Sequence, residues 1–144
     1  MRKGYCDTCI YRDYFEKRKG RWVDFAEEAA KLFHAMEEGK YELVVSDHLE
    51  TQLIQQGFHP QYAELLKRIG DKNVVKVTQT EEDRVKASQA AASSGRNEYE
   101  DALHAELAIK GGADVLITRN INDFTAYCNH PLLKIRLPEH IGLF

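Results

Sequence analysis

The chain is short of most features that would take it out of the ordinary folded, water-facing class. It has only three cysteines, an odd number that argues against a disulfide framework. No apolar run approaches the roughly 20 residues needed to span a bilayer. The opening residues, Met1-Arg2-Lys3-Gly4-Tyr5, lack the apolar core of a signal peptide. Both absences lead to the expectation of a cytoplasmic protein with no membrane partner. A basic excess is also missing: the net charge is -3, so a nucleic acid would have to be met by a local patch and not by the field of the whole molecule. No internal repeat, low-complexity tract or linker rich in Pro, Gly or Ser divides the chain. Its 144 residues suit a single domain over 1–144, long enough to bury roughly two-thirds of its unfolded surface.

What is present is an alternation of short strands and amphipathic helices, with 43% hydrophobic and 30% charged residues. Strands are expected over 4–6, 41–45, 73–78, 114–118 and 132–137. Helices are expected over 8–17, 22–38, 46–56, 58–69, 80–92 and 99–110. Phe25, Ala29, Leu32, Phe33 and Met36 recur at helical spacing, and Gly39 closes that helix. Ser46 and Thr80 suit N-caps, Pro60 a first helical turn, and Asn97 with Glu100 a capping box. Strands separated by helices imply a parallel sheet covered on both faces. The expected architecture is a three-layer α/β/α sandwich around four to five strands.

In such sheets ligands bind beyond the carboxyl ends of the strands. Asp7 ends the first strand and Asp123 follows the fourth, while Glu50 and Asp101 lie in first turns of helices that begin at the same edge. Four carboxylates gathered there repel one another, and a bound divalent cation is the usual remedy. Glu50 also falls on the stripe Glu50, Leu53, Ile54, Gly57, which is expected to point inward, where an unpaired carboxylate is costly. Hard oxygen ligands suit Mg2+ or Mn2+, which would activate a water and neutralise charge developing on a phosphodiester. Thr118, at a strand end, could hold a carboxylate or phosphate oxygen through its hydroxyl.

These residues resemble the PIN-domain family of metal-dependent ribonucleases. The likeness is carried by Asp7-Thr8 after a first strand, Ser46 with Glu50 opening a helix after the second, Asp101-Ala102-Leu103-His104 opening a later helix, and Ile117-Thr118-Arg119-Asn120 through Asp123-Phe124. The resemblance implies a parallel sheet flanked by helices and an acidic cluster that binds Mg2+ or Mn2+ and cleaves single-stranded or structured RNA. It assigns Asp7, Glu50, Asp101 and Asp123 to the metal, with Thr118 supporting. Asn120 stands where many members carry another acid, so Asn120 and Asp123 are alternatives for facing the cation. Small single-domain members resemble VapC-type toxins, which implies a homodimer and an antitoxin partner.

Other readings start from other residues. Arg12, Lys17, Arg18, Lys19 and Arg21, interleaved with Tyr11, Tyr14, Phe15 and Trp22, form a candidate RNA-binding patch or else a solvated helix end. That stretch would equally serve a non-catalytic RNA-binding or interaction module. Cys6-Asp7-Thr8-Cys9 is a C-x-x-C and raises thiol redox chemistry, although Asp7 between the thiols opposes thiolate formation. Cys6, Cys9, Cys128 and His130 could form a zinc site, but C-x-H is not a common ligand spacing. His104 is expected to fill a packing role.

Overall fold

Strand β1 (Lys3–Cys6) lies in the middle of the sheet, and its sequence explains why. Tyr5 and Cys6 point to opposite faces and are both fully buried, which suits a strand covered on two sides. The computed structural model describes residues 2–94 and 98–142. In chain order β1 is followed by α1 (Thr8–Phe15), α2 (Phe25–Glu37), β2 (Glu42–Ser46), α3 (Asp47–Gln55), α4 (His59–Ile69), β3 (Val74–Val77), α5 (Glu81–Ser94), α6 (Tyr99–Lys110), β4 (Val115–Ile117) and β5 (Lys134–Arg136). A 3-10 segment, Ile121–Tyr127, separates the last two strands.

The five strands are all parallel, in the order β3-β2-β1-β4-β5. Register pairs Tyr5 with Val44 on one side and with Leu116 on the other. The chain moves outward from β1 through β2 to β3, then crosses back and moves outward again through β4 to β5. The direction therefore reverses between β1 and β4, and the carboxyl ends of those two strands flank the crevice where open α/β sheets take their ligands. Helices α1 to α4 pack on one another, and α5 pairs with α6, completing the three-layer α/β/α sandwich. Gly4 permits the close packing at the centre: a Cβ there would stand 2.7 Å from the buried Tyr41 ring.

Element boundaries depart from expectation where side chains cap the backbone. Helix α1 ends at Phe15, with Glu16 N–H closing onto Arg12 O and Lys17 in the left-handed region at φ 53°. Helix α2 begins at Phe25 and not at Trp22, because the Asp24 carboxylate accepts from Glu27 N–H. Ser46 caps α3 as expected, accepting from Leu49 N–H at 3.1 Å. Thr80 and Asp83 cap the start of α5 reciprocally, and Lys110 Nζ reaches the same Asp83 carboxylate at 2.9 Å, tying α6 to α5. The cap expected at Asn97 lies outside the described residues; the N-cap of α6 is Glu98, which makes no side-chain cap bond. Strand β5 is shorter than expected, and Leu132 is 69% exposed ahead of it. Among the described residues no helix is long and apolar enough to cross a membrane.

Candidate active site

Asp7 follows β1 directly and serves as the N-cap of α1, so its carboxylate is fixed at the crevice between β1 and β4. One oxygen accepts from Thr8 N–H at 2.7 Å and the other from the Thr118 hydroxyl at 3.0 Å. Thr118, the residue after β4, is completely buried, and its hydroxyl oxygen accepts from Asn120 N–H at 3.0 Å. Asp7 is only 5% exposed. Burial raises its pKa, although the hydrogen bonds from Thr118, Thr8 and Cys9 pull the other way.

Asp101 enters from the first turn of α6 and Asp123 from the 3-10 segment after β4. A helix N-terminus favours an anion, yet Asp101 is pushed up to about 7 by partial burial, then by the charges of Asp7, Asp123, Glu98 and Glu100. Three carboxylates from three separate parts of the chain are thus electrostatically coupled. Asn120 is exposed, and it lines a depression with Arg119, Ile121, Asn122, Asp123 and Leu137. Of the two alternatives for facing a cation, Asp123 is the one whose charge acts on Asp101.

Glu50 does not join them. The inward stripe expected from Glu50, Leu53, Ile54 and Gly57 is corrected: Glu50 is exposed and Ile54 is 47% exposed. The inner face of α3 is His48, Leu49, Gln52 and Leu53. Half of that face is polar because this end of the helix looks onto the site edge, where polar groups find hydrogen bonds. Glu50 lines a different depression with Tyr62 and Lys76, where burial, and then the Glu50 charge, raises the Tyr62 hydroxyl. The depression containing Asp7 and Asp101, about 460 Å³, is completed by His48, Gln52 and Glu100 among others.

These three residues were not foreseen. His48 and Gln52 stand four residues apart, a spacing that puts them on one helical face, but hydropathy alone gives no reason to turn that face inward. A buried chain of hydrogen bonds orients Gln52. Its Oε1 lies 2.6 Å from His104 Nε2. An amide oxygen only accepts, so Nε2 carries the hydrogen and His104 Nδ1 accepts from the Tyr5 hydroxyl, also at 2.6 Å. Tyr5 in turn meets Ser46 Oγ at 2.7 Å. His104 is 1% exposed, and burial, reinforced by nearby His48, pushes its pKa well below the usual histidine value, keeping it neutral. Its expected packing role is therefore joined by a hydrogen-bonding one.

Arg119 was also missed. Its Nε donates to Asp13 at 3.1 Å, its Nη1 to Glu139 at 3.1 Å, and its guanidinium lies 3.8 Å from the centre of the Phe25 ring. It locks α1, the start of α2 and the turn after β5 to the segment carrying Thr118 and Asn120. The candidate basic patch is partly neutralised: Arg12 pairs with Glu16, and Arg18 with Glu16 and Asp13. Lys17, Lys19 and Arg21 are exposed, with Arg21 stacked 4.9 Å from the Trp22 ring centre and Trp22 itself 85% exposed.

The thiols do not support redox chemistry. None of the three cysteines forms a disulfide. Cys6 is raised well above the usual thiol value by burial, and Cys9 is pushed up to about 12 by burial and the adjoining Asp7 charge. Both stay protonated at neutral pH, so the thiolate that such chemistry needs is not available. Among the described residues no three of His, Cys, Asp and Glu converge as a ready-made metal cage, which leaves the Cys6, Cys9, Cys128 and His130 zinc site without support.

The profile of the PIN domain matches residues 6–122. The chain belongs to the PIN-domain family. PIN domains are in general nucleases that use divalent metal ions. The match begins at Cys6, just before Asp7, and ends one residue short of Asp123. No curated protein sequence matches the chain.

The residues of this PIN domain fit a divalent cation by the chemistry of their donors. Asp7, Asp101 and Asp123 offer only oxygen, and burial, with the charges of Asp7 and Asp123 adding to it, raises Asp101.

Proposed function

We propose that this PIN domain is a Mg2+- or Mn2+-dependent endoribonuclease. The observation that carries the reading is that Asp7 and Asp101, from β1 and α6, line one depression at the point where the sheet reverses direction, with Asp123 on the segment after β4. Asp7, Asp101 and Asp123 would hold the cation, which when bound would supply an activated water and offset charge on the phosphodiester. Thr118 and Thr8 N–H hold the Asp7 carboxylate in one orientation, so little reorganisation is needed when a cation arrives. Asn120 N–H, tied to the Thr118 hydroxyl, fixes the turn that presents Asp123. Lys17, Lys19 and Arg21 form the exposed basic group for the RNA backbone, with Trp22 beside them as a stacking surface. Homodimerisation, the cytoplasmic location and the role of a toxin held by an antitoxin are part of the same proposal and are supported by the family resemblance.

The test is cleavage of a labelled single-stranded RNA with Mn2+ present. Asp7→Asn and Asp101→Asn are each expected to lower the rate on the order of a hundredfold or more while RNA binding persists. Undiminished cleavage by either variant would reject the site. Retained binding with no cleavage by the native protein would favour the non-catalytic module.

A further inference from the structure

We propose that Gln52, and not Glu50, is the residue that α3 brings to the cation depression, where its neutral carboxamide keeps a further negative charge from joining Asp7, Asp101 and Glu100. The proposal rests on the metal reading above and concerns which residue completes it.

Position is the first argument. Gln52 is half-buried on the inner face of α3 and lines the depression that contains Asp7 and Asp101. Glu50 lies two residues earlier, roughly 200° around the helix at 3.6 residues per turn, and opens onto Tyr62 and Lys76. The one glutamate in this turn is thus on the wrong side, and the residue on the right side is its uncharged isostere.

Orientation is the second. The Gln52 oxygen is committed to His104, while its nitrogen stands 3.4 Å from Glu100 Oε2, an acceptor only, which agrees with an amide turned nitrogen-outward. Ser46, Tyr5 and His104 form a buried relay that keeps Nε2–H of His104 aimed at that oxygen. The amide nitrogen faces the depression between His48 Nε2 and Glu100 Oε2, each 3.4 Å away. A nitrogen bearing hydrogens cannot ligate a cation, but it can donate to a water or a phosphate oxygen beside one. A glutamate side chain in the same place would accept from His104 in the same geometry and add a further negative charge.

Charge count among the ligands tunes divalent-cation affinity. Calorimetric titration of Mn2+ into the whole chain at pH 8 tests the idea, with folding checked by circular dichroism. Gln52→Glu is expected to tighten Mn2+ binding on the order of tenfold, and Glu50→Gln to leave it within about twofold. Wild-type binding that Gln52→Glu leaves unchanged overturns this proposal alone. So does a loss of tenfold or more in Glu50→Gln, an exposed position whose substitution does not disturb the core. Failure of both wild type and Gln52→Glu to bind Mn2+ overturns the metal reading and this proposal with it.

Discussion

The hydroxyl of Thr118 donates to the carboxylate of Asp7 at 3.0 Å across 111 residues of sequence. It joins the ends of β1 and β4, the two strands that flank the reversal in the sheet. Thr118→Val keeps the shape and removes the hydroxyl, leaving one Asp7 oxygen and Asn120 N–H without that partner. Unsatisfied buried polar groups cost ~1–3 kcal/mol, so chemical denaturation should show a loss in that range. Thr118→Ser should recover most of it.

The acid cluster gives metal-free stability a definite pH slope. The Asp101 carboxyl titrates at about 7 in the folded protein and at roughly 4 when unfolded. Between these values the native state holds a proton that the unfolded chain has released, so stability falls as pH rises from about 4 to about 7 and levels off above. Thermal melts without metal should therefore show a lower Tm at pH 8 than at pH 5. Asp101→Asn should flatten that dependence.

Cation binding should reverse the penalty. At pH 8, Mn2+ at a hundred times its Kd should stabilise the fold by ~2.7 kcal/mol, read as a rise in Tm. Asp7→Asn should abolish most of the rise. A melting curve insensitive to millimolar Mn2+ would leave the carboxylate cluster without its proposed ligand.

Arg119 neutralises Asp13, which is only 3% exposed, and also reaches Glu139. Arg119→Met should destabilise by ~1–3 kcal/mol, because it removes the close partner of a buried carboxylate and leaves only Arg18 at 3.9 Å. The double variant Arg119→Met/Asp13→Asn should lose less than the two single losses combined. Additive losses would show that the pair is not coupled.

RNA affinity should fall steeply with salt if lysines and arginines hold phosphates. Lys17→Ala, Lys19→Ala and Arg21→Ala are each expected to reduce the logarithmic salt slope by about one. Arg12→Ala should change it less, because Glu16 already faces that guanidinium.

The parallel α/β sandwich was legible from the sequence because β-rich runs such as Val74-Val75-Lys76-Val77 alternate with helices of clear period. The Ser46 cap was legible because its signal is local. The ends of α1 and α2 were misplaced by two or three residues. There an aspartate cap and a left-handed lysine ended or started helices that the apolar period alone would have extended.

Asp7, Asp101 and Asp123 owe their neighbourhood to strand ends and helix starts, which the order of elements already dictates. Glu50 was misjudged because hydropathy turns a helix by its apolar residues. At the site end of α3 the inward residues are His48 and Gln52, held by hydrogen bonds to α6. The sequence by itself determined the element order and hence the edge where the acids gather. Tertiary structure alone decided which side chains of α3 face that edge, because the choice depends on partners such as His104 and Glu100 some fifty residues away.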